Sequence, residues 1–174
     1  MDYLLKSGIL YAESVNRKEA SIQGELVSDK KRVTLPTGNT VMTTYIQKKP
    51  DGNTADVHQK RYIMADETGR ELASAIPEYA EGEDPDLVGW PVHRMPLVDH
   101  AALKMNGLPY TLSMKNAGQY SLSDGSGHSV LQISHRGLQG GWNIHSEGSF
   151  KPSVICGIYA FCRYIEKENE LMVV

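Results

Sequence analysis

Five cations bracket one short segment, Lys30-Lys31-Arg32 before it and Lys48-Lys49 after it. Between them Val33-Thr34-Leu35 runs into Pro36-Thr37-Gly38-Asn39 and then Val41-Met42-Thr43-Thr44-Tyr45-Ile46. β-Branched and aromatic runs on either side of a Gly/Asn turn predict a β-hairpin. A turn centred on residues 37–38 opposes positions whose numbers sum to about 75. Lys30 then faces Tyr45, and Lys48 lies near Val27. The two clusters meet at the open end of the hairpin. Positive charges gathered there suit a phosphate or an anionic lipid head group, at about 1 kcal/mol per residue beside an anionic membrane. Lysines at a strand edge also serve to discourage edge-to-edge pairing, and at the level of sequence both readings stand.

A second candidate surface is residues 77–100. It carries four of the eight prolines, Pro77, Pro85, Pro91 and Pro96, and the acids Glu78, Glu81, Glu83, Asp84 and Asp86. It reads as a long surface loop. Trp90 within it is a candidate anchor for a protein partner, or a lid folded over the end of the domain. Charge is unevenly spread along the chain. Residues 1–61 hold ten Lys/Arg against seven Asp/Glu, and residues 66–99 hold two against nine.

Other reactive side chains are arranged without a catalytic pattern. The six histidines, His58, His93, His100, His128, His135 and His145, include no pair at the i,i+4 or i,i+2 spacing that puts two ligands on one face. Cys156 and Cys162 lie in one apolar run and, as helix residues six apart, point about 120° from each other. That excludes a disulfide between them. Gly125-Ser126-Gly127 lacks the spacing of a nucleophile elbow, and no phosphate-loop or dinucleotide fingerprint occurs. The expectation is a binding protein, not an enzyme, with no cofactor or metal. A net charge of −3 does not suggest a nucleic-acid partner. Met1-Asp2-Tyr3-Leu4-Leu5-Lys6 lacks the basic start and long apolar run of a secretory leader, and the longest weakly polar run, 153–162, is too short to span a bilayer as a helix. A cytoplasmic protein is expected, at most peripheral to the inner membrane surface.

The elements that must hold these groups are mostly strands. Tyr62-Ile63-Met64 leads into Asp66-Glu67-Thr68-Gly69 and then Leu72; Tyr120-Ser121-Leu122 leads into Asp124-Gly125-Ser126-Gly127 and then Val130. In both, Tyr precedes Asp by four, Asp precedes Gly by three and Gly precedes the next apolar residue by three, with a 58-residue period. Asp accepts from backbone N–H groups at such a turn and Gly supplies the positive φ. Residues 101–105 read as one or two helical turns, and Leu138–Ile144 as a strand resumed after a Gly-Gly bend. Pro152 then suits a first helical turn, and residues 154–165 are apolar or small on every face apart from Arg163. A surface helix shows a stripe; a cylinder must be enclosed by protein. Its length of about 18 Å matches the height of a small barrel. Residues 171–174 suit a last short strand. At 174 residues the chain is of single-domain size.

Repeated Tyr–Asp-x-x-Gly–apolar hairpins, a late Trp142 strand and an apolar C-terminal helix resemble the tubby C-terminal-like superfamily. The likeness covers residues 33–165, with its key segments at 120–133 and 153–165, and is nearest to the compact bacterial LURP-one-related proteins. It implies a closed antiparallel β barrel around a central hydrophobic helix, in a mainly β single domain over 1–174. The basic pocket by which tubby domains hold phosphoinositides does not match residue by residue.

Overall fold

The computed structural model describes residues 1–26, 28–50, 56–87, 89 and 96–170. The described strands are β1 (Asp2–Lys6), β2 (Ile9–Ala12), β3 (Arg17–Gly24), β4 (Lys31–Thr34), β5 (Thr40–Lys48), β6 (Lys60–Asp66), β7 (Glu71–Tyr79), β8 (Val98–Met105), β9 (Leu108–Asn116), β10 (Gln119–Asp124), β11 (Ser129–His135) and β12 (Trp142–Ser146). Each pairs antiparallel with its neighbours in sequence, and β12 closes on β1 with Ile144 opposite Tyr3. The result is a closed barrel, which leaves no strand edge unpaired.

The helix α1 (Pro152–Glu168) fills it. Ile155, Cys156, Ile158, Ala160, Phe161, Cys162 and Ile165 are all fully buried, and they surround the helix axis except on the face of Tyr159 and Arg163, which are partly exposed. It lies nearest β3, β4, β5, β6, β8 and β9. Its seventeen residues span about 25 Å, so it runs from one mouth of the barrel to the other. Gly157 lets the helix approach β5 and β6, because a Cβ there would stand 2.4 Å from the Met64 methyl. At the exit mouth Asn169 ties the helix end to β8: its amide donates to the Val98 carbonyl at 2.7 Å and its oxygen accepts from the Val98 N–H at 2.8 Å.

The internal repeat is physical. The Asp66 carboxylate accepts from the Thr68 N–H and hydroxyl and from the Arg70 N–H; Asp124 accepts in the same way from Ser126 and His128. Both turns end on a glycine at φ 86°. The matching tyrosines point inward and reach the helix C-terminus. Tyr62 donates to Glu168 at 3.3 Å and Tyr120 to Glu166 at 2.9 Å.

Residues 101–105 are not helical: they complete β8. Ala101, Leu103 and Met105 alternate inward with the exposed Ala102 and Lys104, and pairing with β7 and β9 outweighs the helix preference of Ala-Ala-Leu-Lys. The loop expected at 77–100 is narrower, since Pro77–Tyr79 belong to β7 and Val98–His100 to β8. Residues 171–174 and Trp90 lie outside the described residues.

Candidate functional site

The register of the first hairpin fixes what the basic cluster can do. Lys31 opposes Thr44, Arg32 opposes Thr43 and Val33 opposes Met42, as a 37–38 turn requires. Side chains alternate across a strand, so Lys31 shares the interior face with the buried Val33 while Arg32 faces solvent. Lys30, Lys48 and Lys49 are exposed. Lys48 stands four residues beyond the partner of Lys31 on β5, about 13 Å along the strand, and opposes Lys60 of β6. The five cations therefore do not converge. Of the five, only Lys31 is partly buried.

Lys31 meets a different partner there. A cleft of about 350 Å³ opens where β3 and β4 face the β1–β2 turn and the start of β12, and Lys31, Arg163, Trp142, Tyr159, Ser7 and Gly8 are among its walls. Tyr159 and Arg163 are one helical turn apart and so share the face of α1 that looks into it. Two glycines keep the walls close: a Cβ on Gly8 would stand 2.6 Å from the Ile22 carbonyl oxygen, and one on Gly141 2.8 Å from that of Leu5.

The electrostatics are unbalanced. The Lys31 ammonium stands 5.9 Å from the centre of the Tyr164 ring and makes no hydrogen bond or ion pair among the described residues. Burial holds its pKa below the ordinary lysine value, and the Arg163 charge lowers it further. The Arg163 guanidinium lies 5.8 Å from the Trp142 ring centre and pairs with Glu166, which also accepts from Tyr120. Lys167 pairs with Asp29. The nearby carboxylates thus pair with other cations; Asp29 offsets part of the cost, and Lys31 is left in a half-buried place without an ion pair among the described residues. A single atom with two or three negative oxygens would satisfy both Lys31 and Arg163.

Sequence reasoning missed Arg163 as a site residue. Its signal was present, since it is the one charge within residues 154–165. The loops beside the cleft add a second feature. Leu26, two residues beyond Gly24, and Leu138, three before Gly141, are fully exposed, at 105% and 108%. Gly24 and Gly141 both line the cleft.

The remaining candidates are placed as follows. Cys156 and Cys162 are buried free thiols; burial pushes Cys156 up to about 12 and raises Cys162 as well, the wrong direction for a nucleophile. His100 sits between Asp99 at 2.5 Å and Glu78 at 2.8 Å, His128 beside Glu147 and His145 beside Asp2.

The class is thus a closed antiparallel barrel threaded by its C-terminal helix, with one cationic cleft at the helix's exit end. No family model, no curated protein and no solved structure matches the chain. Among the described residues, no helix is long and apolar enough to cross a membrane.

Proposed function

We propose that the protein is a non-enzymatic binding module that takes the phosphate of an anionic lipid head group into the cleft between Lys31 and Arg163. The observation that carries this reading is the Lys31 ammonium, held half-buried beside a second cation and in no ion pair among the described residues, with Asp29 offsetting burial and Arg163 only in part. Such a charge costs stability unless an anion arrives to compensate it. The exposed Leu26 and Leu138 at the cleft's flanks favour a lipid surface over a soluble phosphate, because apolar loop tips gain free energy on entering the interface.

Vesicle flotation at low salt tests the proposal. Wild-type protein should float with vesicles containing phosphatidylserine and not with phosphatidylcholine alone, and added salt should weaken the binding. Lys31→Glu should abolish flotation, Leu26→Ser with Leu138→Ser should weaken it, and Arg32→Glu should change it far less. The reading fails if the wild type does not float, or if Arg32→Glu and Lys31→Glu lose binding equally. Inhibition by free inorganic phosphate with no vesicle binding would assign the cleft to a soluble ligand instead.

A further inference from the structure

The mouth from which α1 exits is ringed by strand connections. In order around the closed barrel they are β1–β2, β11–β12, β9–β10, β7–β8, β5–β6 and β3–β4. The β1–β2 turn is therefore flanked by the β3–β4 and β11–β12 connections and stands diametrically opposite β7–β8. The cationic cleft opens beneath the first three, since Ser7, Gly8, Gly24, Lys31 and Gly141 line it.

The two sides of this rim carry opposite charge. On the cleft side Lys6 and Lys30 are exposed and Arg136 is half-buried, all three outside the cleft lining and in no ion pair among the described residues. Lys31 and Arg163 stand within the cleft and Lys167 beside it. The acids here are Glu25, which accepts from the Ser28 hydroxyl, Asp29, paired with Lys167, and Glu166, paired with Arg163. The cations on this side thus outnumber the acids. Across the mouth the balance is reversed. Residues 78–99 hold Glu78, Glu81, Glu83, Asp84, Asp86 and Asp99 against a single arginine, Arg94.

The two sides also differ in apolar exposure. The Ser7-Gly8 turn is short, and the longer connections 25–30 and 136–141 stand on either side of it. Each of these carries a fully exposed leucine, Leu26 and Leu138, whereas Leu87 on the acidic side is 50% exposed.

We infer that the barrel docks on an anionic bilayer tilted toward its β1–β2 edge, with Leu26 and Leu138 in the interface, Lys6, Lys30 and Arg136 on the head groups around the cleft, and residues 81–87 held off the surface. This orientation rests on the head-group reading of the cleft. Upright docking would press the acidic side against lipids of the same sign. Twelve strands at about 4.8 Å spacing make a mouth roughly 20 Å across. A tilt of about 30° then lifts the far side by about 10 Å, past the screening length of about 8 Å at physiological salt.

Site-directed fluorescence on vesicles containing phosphatidylserine tests the orientation. The native cysteines are buried, so an NBD label can be placed selectively on Leu26→Cys, Leu138→Cys, Leu87→Cys or Val15→Cys, the last in the β2–β3 turn at the other mouth. Labels at residues 26 and 138 should shift to the blue and be quenched by nitroxide-bearing lipid, while those at 87 and 15 should emit as in water. Lys6→Glu and Arg136→Glu should each weaken vesicle binding about tenfold at low salt. Lys104→Glu, at an exposed position of β8 near the other mouth, should not. The inference is overturned if the protein floats and the label at 87 enters with those at 26 and 138, if neither of those two enters, or if Lys104→Glu weakens binding as much as Lys6→Glu; the head-group reading survives all three. Failure of the wild type to float overturns both.

Discussion

Ile158 and Tyr159 are neighbours on α1, and the threaded barrel predicts very different fates for an aspartate at each. Ile158 is fully buried. Truncating such a side chain costs about 2–5 kcal/mol. The carboxyl left behind must stay neutral, and with its pKa raised by about 3–5 units that adds about 4 kcal/mol at neutral pH. Their sum reaches the whole stability of an ordinary domain, about 5–15 kcal/mol, so Ile158→Asp should not fold. Tyr159 is only partly buried and opens on the cleft. Its ring meets Trp142 edge-on at 5.5 Å. Tyr159→Asp forfeits that contact, about 0.5–1.5 kcal/mol, and some apolar burial, but sets a carboxylate beside Lys31 and Arg163. A net loss of about 1–3 kcal/mol is expected. Urea melts followed by circular dichroism would measure both. The reasoning fails if Ile158→Asp unfolds at the wild-type midpoint, or if the two variants behave alike.

Further outcomes follow from other parts of the fold. Gly157→Ala gains about 1 kcal/mol of helix propensity, while its Cβ would meet Met64 at 2.4 Å and the Met42 sulfur at 3.0 Å. Because both contacts are the flexible far ends of methionine side chains, they can shift and the melting temperature should change little, whereas Gly157→Val should lower it clearly. For His100, burial alone would lower the pKa, but the hydrogen bonds to Asp99 and Glu78 outweigh it and raise the folded value. That contribution is full below the unfolded value of about 6.5 and is lost as pH rises through the folded one. Wild type should therefore exceed His100→Gln in stability at pH 5.5 and lose most of the difference by pH 8.5, a change of under about 1 kcal/mol for a partly exposed pair; a gap that widens with pH would contradict it. Cys156 and Cys162 should resist a thiol reagent under native conditions and react together on unfolding, while fast native labelling of either would mean that the helix is not enclosed.

Much of this architecture is legible in the residues. The cylinder at 154–165 announces an enclosed helix because no solvent-facing stripe interrupts it. The Gly38 turn fixes the first hairpin's register, and the Asp66 and Asp124 turns repeat because each carboxylate binds the same N–H groups. The β8 strand was hidden by alanines, whose small side chains mark neither a helical nor an alternating pattern strongly. The first three strands were hidden by their brevity and by the charges at the start of β3. The cleft was the least visible feature. It requires Lys31 and Arg163, 132 positions apart, to be brought together by helix rotation inside a barrel, and no local pattern encodes that angle. Sequence alone grouped Lys31 with Arg32 and Lys48. The pleat separates it from the first and strand length from the second.

The titration of Lys31 itself tests the proposed site most directly. With lysine labelled at its side-chain carbons, NMR can follow the ammonium in the free protein and with short-chain phosphatidylserine added below its micelle concentration. Free, Lys31 should titrate below the ordinary lysine value, because burial and Arg163 both oppose its charge. With the lipid bound, it should move up as the phosphate cancels that repulsion, and Arg163→Ala should raise it in the free protein too. A Lys31 that titrates at the ordinary lysine value, and does not respond to the lipid, would contradict the account.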